Sequence, residues 1–147
     1  MARYSAMKLI IVNQKERVGA WVAERTGRTC PYSAFEAFGV EQDGVLIGGF
    51  IVDNYVKNAR ATIHAAGEGK RWVSRELLFA MFDYVFRQLN CRVLVNSVNV
   101  SNTASMIGTR KLGFTEVHRI PNGAGDSDLA IFVMQKQACR WLDFRRG

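Results

Sequence analysis

Hydrophobic and polar positions follow two different periods along this chain, and each change of period marks an element. Leu9-Ile10-Ile11-Val12 is a four-residue apolar run. It is too short for a membrane span or the apolar region of a signal peptide, and reads as a first strand. Asn13-Gln14-Lys15-Glu16 resembles a capping box, and Val18, Trp21 and Val22 follow at helical spacing until Thr26-Gly27 ends the run. Segments 35–42 and 45–56 then flank Asp43-Gly44, a two-residue hairpin signal. A further turn at Lys57-Asn58 leads into Arg60-Ala61-Thr62-Ile63-His64-Ala65. Three consecutive antiparallel strands are therefore expected.

The period returns to helical over residues 71–89, the main helix. Val73, Leu77, Ala80, Met81, Tyr84 and Val85 form one apolar stripe, and Leu78, Phe82, Phe86 and Leu89 form another beside it, so the helix should lie broadly on a sheet. Glu76 and Arg87 fall on its wet side. The β-branched, alternating Arg92-Val93-Leu94-Val95-Asn96-Ser97-Val98 predicts a strand with one buried face. Asn102 fits the N-cap of a short helix, and Gly113 stands where a left-handed C-terminal residue is wanted, with Phe114 able to fold back on the last turn. Another strand, the loop Pro121-Asn122-Gly123-Ala124-Gly125-Asp126 and a last strand over 128–135 follow. Cys139-Arg140-Trp141-Leu142 is expected to cover a sheet edge. No repeat or linker divides residues 1–147, and the order predicts one α+β domain, a mixed sheet of six or seven strands with helices on both faces.

Composition narrows the partners. The 147 residues are 48% hydrophobic and carry a formal charge of +7, enough for a sizeable core and an attraction for anions such as a phosphorylated cofactor, nucleic acid or an acidic protein surface. The basic residues are dispersed and form no nucleic-acid motif, which argues against that partner. Cys30, Cys91 and Cys139 are odd in number and lack CxxC spacing, favouring a reducing cytoplasm. Two histidines and scattered thiols give no metal-binding spacing. Cys91 follows Leu89-Asn90 and precedes a strand, which reads as a half-buried structural thiol.

The stretch NTASMIGTRKLGF, beginning at Asn102, is similar to the C-terminal signature of the GNAT acetyltransferase superfamily. Together with RWVSRELL, FDYVFRQL and CRWL, it resembles compact GNAT proteins associated with phage and prophage genes. The resemblance covers nearly the whole chain and implies acetyl-CoA as co-substrate, held by backbone amides where the fourth strand turns into the main helix. The physical basis is general, because a helix start offers unpaired donors and partial positive charge to a pyrophosphate. The corresponding residues are Lys70, Arg71, Trp72, Val73, Ser74 and Arg75. Trp72 and Ser74 stand where the family has glycines, and Gly69 stands where it has Gln or Arg. Asn102 matches a position that contacts the pantetheine arm, and a backbone amide at Ala65 or Ala66 would polarise the thioester carbonyl.

For the proton transfers the resemblance points to His64 as general base, with Glu36, Glu41 or Asp53 as substitutes acting through water. The family's usual tyrosine acid is replaced by Thr109, whose hydroxyl is a poor proton donor; water, Tyr84 or Tyr55 would then serve. Two functions follow from the resemblance. One is an acetyl-CoA-dependent N-acetyltransferase whose amine acceptor attacks the thioester directly. The other is a catalytically weak or inactive GNAT-shaped protein that acts by binding a host protein. A homodimer through a sheet edge is compatible with either, and no membrane association is expected.

Overall fold

A computed structural model describes residues 7–28, 32–69 and 71–143. Strands β1 (Lys8–Ile11), β2 (Glu36–Gln42), β3 (Val45–Val56) and β4 (Arg60–Gly67) run antiparallel in succession, and β4 then pairs in parallel with β5 (Val93–Asn99). With β6 (Thr115–Ile120) and β7 (Leu129–Gln135) they form one mixed sheet, in the order β1-β2-β3-β4-β5-β7-β6. The β2–β3 hairpin turns at Asp43 and Gly44, whose φ angles of 54° and 84° are both left-handed, the twist that a tight hairpin needs.

Alternation along β3 assigns the two faces. Phe50 and Val52 join the core beneath helix α2 (Arg75–Asp83) and helix α3 (Thr103–Leu112), whereas Ile51 joins Val18 and Val22 of helix α1 (Lys15–Arg25) on the opposite face. Each face also carries a cross-strand glycine pair under a large side chain. Gly39 and Gly49 are register partners beneath Val18, and Gly48 and Gly67 are register partners beneath the indole of Trp72. A Cβ at any of the four would stand within 3.0 Å of that side chain. Close approach, rather than backbone freedom, is the use of glycine here.

Several expected features differ. The main helix begins at Arg75 instead of 71, because Ser74 is extended and its hydroxyl accepts from the Leu77 amide at 3.1 Å, capping the helix there. It ends as one π turn over Tyr84–Gln88, closed by the Leu89 amide on the Tyr84 carbonyl. The capping box at α1 does not form. Gln14 is the N-cap, which puts Arg17 rather than Glu16 at the third helical position, and Arg17 donates to the Gln14 side chain instead.

Nor does the 139–142 segment cover a sheet edge, since the edges are β1 and β6. Trp141 donates its indole N–H to the Leu112 carbonyl and Arg87 donates to the Leu142 carbonyl, so the segment straps the ends of α3 and the π turn. Cys91 is fully buried rather than half-buried, and burial pushes its thiol above the ordinary cysteine range. Among the described residues no helix is long and apolar enough to cross a membrane.

Candidate active site in the splay between β4 and β5

β4 and β5 are paired only from Arg60↔Val93 to Ile63↔Asn96; beyond that point they part. The Glu68 amide donates to the Ile47 carbonyl at 2.9 Å. Because amides alternate in direction along a strand, those of His64 and Ala66 also face β3, while those of Ala65 and Gly67 face the gap that β5 has left. Ala65 and Gly67 are both exposed, so these donors are open to solvent or to a ligand. Here the fold leaves two N–H groups directed into an open splay.

A cleft of about 870 Å³ occupies that gap, within the usual range of small-molecule sites. One wall is the end of β4 from His64 to Gly67 with Glu68 just beyond it, and the other is β5 from Asn96 to Asn99. Asn102, Ala104, Ser105 and Thr109 close it on the α3 face of the sheet, while Arg25, Thr26, Arg28 and Tyr32 close it beyond the end of α1.

The titratable chemistry lies on the α1 side. His64 Nε2 is 2.8 Å from Asp53 Oδ1, and the Asp53 side chain is buried where β3 bulges between Asp53 and Val56. An ionised carboxylate only accepts, so the pairing places the imidazole proton on Nε2 and leaves on Nδ1 a lone pair that no donor among the described residues engages. The Tyr32 ring stands 5.2 Å from the His64 ring, between it and the Arg28 guanidinium, whose carbon is 4.2 Å from the Tyr32 centroid. On the α3 side, Asn96 donates to the buried Thr109 hydroxyl at 3.2 Å. Asn102 uses its side-chain oxygen to accept the Ser105 amide at 3.1 Å.

No protein-family model and no curated protein matches the sequence. Solved structures do match in fold. A putative acetyltransferase from Salmonella typhimurium, solved with acetyl-CoA, aligns at TM-score 0.70 and 15% identity, over 88% of this chain and 94% of its own. Mutant forms of the spermidine/spermine N-acetyltransferase SpeG from Vibrio cholerae align at 0.69 and 17%, over 93% and 98%. The ribosomal-protein-S18-alanine N-acetyltransferase from Escherichia coli aligns at 0.65 and 20%, over 88% and 94%. The fold is that of the GNAT acetyltransferases.

Within this GNAT fold the residues singled out from sequence divide into two groups. His64, Ala65, Ala66, Asn102 and Thr109 come together around the cleft. Arg71, Trp72, Val73, Ser74 and Arg75 do not line it, and Lys70 lies outside the described residues. Trp72 is seated on Gly48 and Gly67 with its ring 5.1 Å from Phe50, so the bulky residue of the altered loop is directed onto the sheet. The amides of Arg75 and Glu76 have no backbone acceptor among the described residues, while Lys8 holds the Arg71 carbonyl at 2.7 Å.

Of the substitutes considered from sequence, Glu36, Glu41, Tyr55 and Tyr84 all lie away from the cleft. Glu41 is paired with Arg17, and the Tyr55 hydroxyl donates to the Leu89 carbonyl. The Tyr84 hydroxyl is pushed above the ordinary tyrosine range chiefly by burial, with Glu36, Cys91 and Tyr55 adding to it. Sequence reasoning missed Arg28, Tyr32 and Asn96. Asn96 had a signal, a polar residue in an otherwise apolar strand. Arg28 and Tyr32 sit in an aperiodic connection and had none.

Proposed function

We propose that this chain is an acetyl-CoA-dependent N-acetyltransferase in which the splay cleft holds the thioester and the His64–Asp53 pair serves the amine acceptor. The observation that carries the reading is the pairing of two kinds of group across one gap: unpaired β4 amides at Ala65 and Gly67, and a carboxylate-held imidazole on the adjoining face. Acetyl-CoA, when bound, supplies an activated acetyl group ready for acyl transfer. The residues present fit it, since the cleft passes through the sheet and the amides at the start of α2, beside Arg71 and Arg75, have no backbone acceptor among the described residues. Those two cations oppose the helix macrodipole, and a phosphate bound between them would relieve that opposition.

His64 Nδ1 takes the proton that the acceptor amine must lose as it attacks. Asp53 holds the ring in the required tautomer and stabilises the imidazolium that forms. The Ala65 amide donates to the oxygen that becomes negative in the tetrahedral intermediate. Thr109 is a poor acid, so water in the open cleft protonates the departing thiolate.

Asp53→Asn tests the arrangement. An amide can donate to Nε2, which moves the ring proton to Nδ1 and blocks the base, so kcat should fall by about 10²- to 10⁴-fold while acetyl-CoA affinity is kept. CoA release measured with a panel of amines gives the readout. If wild-type protein releases no CoA with any amine, the chain is a GNAT-shaped binding protein. If Asp53→Asn is as active as wild type, His64 is not the base.

A further inference from the structure

The α1 side of the cleft carries a charge pattern that selects among amine acceptors. Glu68 is the acidic residue among those lining the cleft, and its carboxylate is 3.6 Å from the Arg25 guanidinium. The carboxylate behind the wall, Asp53, is committed to His64. Arg28 is different: among the described residues no carboxylate lies within ion-pair distance of it. Its guanidinium rests on the face of Tyr32, which holds the plane by a cation–π contact and leaves the edge N–H groups available. Tyr32 is only 7% exposed and in turn borders His64. One buried ring therefore separates from the proposed base an orientated cation that has no carboxylate partner among the described residues.

We infer that the acceptor is a small amine that also bears an anionic group, a carboxylate or a phosphate, bound by Arg28 while its amine reaches His64; this rests on the acetyltransferase reading above. Planar guanidinium recognises either oxyanion through paired N–H donors. A polycationic acceptor fits poorly, because this wall offers one carboxylate and that one is already neutralised by Arg25.

The experiment uses the full chain and four probes: β-alanine, phosphoethanolamine, propylamine and spermidine. Acetyl-CoA affinity is first measured by calorimetry without amine, and KM for each amine then follows from CoA release. The expected result is a KM for β-alanine or phosphoethanolamine at least about tenfold below that of propylamine and spermidine. Whichever of the two is lower tells carboxylate from phosphate. Arg28→Ala should remove the preference and Arg28→Glu should reverse it towards spermidine, both with acetyl-CoA affinity retained. A wild-type preference for spermidine or propylamine overturns the inference but leaves the transferase reading standing. So does loss of acetyl-CoA affinity in Arg28→Ala, which would give this arginine to the CoA phosphates. Absence of acetyl-CoA binding in the wild type overturns both.

Discussion

Substituting Gly48 by alanine asks directly where Trp72 sits. A methyl on Gly48 would stand 2.6 Å from the indole Cγ and nearer still to two other ring atoms. Carbon contacts settle at about 3.5–4.0 Å, so the ring must move by about an ångström or more. It has little room, being held against Gly67 and beside Phe50. Overpacking of this kind costs about 1–3 kcal/mol, against a gain of roughly 0.5–1 kcal/mol from replacing glycine in a strand interior. The net destabilisation should be about 1–2 kcal/mol, or roughly 3–8 °C in Tm for a domain of this size. In a Trp72→Ala background the same methyl meets no ring, and its effect should change sign. Far-UV circular dichroism melts and urea curves of the four proteins give the coupling. An equal effect of Gly48→Ala in both backgrounds would refute the packing, and the indole would then be free to occupy the cofactor turn.

The α3 cap gives a second check: Asn102→Ala should lower stability by about 1 kcal/mol and Asn102→Asp by less, read by urea denaturation, because the Asn102 side chain caps the Ser105 amide. A third concerns pH. The Glu116 carboxyl is held below the usual carboxylate range, first by its hydrogen bond from Arg119 and then by Arg110. A depressed folded-state value stabilises above the unfolded value and is lost as pH falls through the folded one. The Tm difference between wild type and Glu116→Gln should therefore be present at neutral pH and vanish in acid.

How far the sequence could be read depended on whether a residue's role was local. The hairpin at Asp43-Gly44, the cap at Asn102 and the left-handed Gly113 at φ 113° all follow from nearest neighbours, and all are legible. The sheet was legible as six or seven strands, from the alternation at 92–98, the apolar run at 9–12 and the turn signals that separate the others, and the structure has seven. The start of α2 was not. The expected helix reached back to residue 71 with Val73 opening its apolar stripe, whereas Trp72 lies ahead of the helix and packs on the sheet where two glycines on β3 and β4 make room for it. That is a tertiary fact. The site divided in the same way. His64 could be named from its strand, but its partner Asp53 lies on a different strand and is brought to 2.8 Å only by the register and bulge of β3 against β4. Arg28 and Tyr32 face the cleft from a connection without periodicity, and only the folded chain brings them to His64.

The most direct test of the central claim is a calorimetric titration of the protein with acetyl-CoA at low and high salt. One saturable site of micromolar affinity that weakens as salt rises is the expected result, with phosphate bound near the basic start of α2 and the thioester in the splay. No heat and no thermal stabilisation at millimolar acetyl-CoA would contradict the account, leaving a GNAT fold without the chemistry proposed for it.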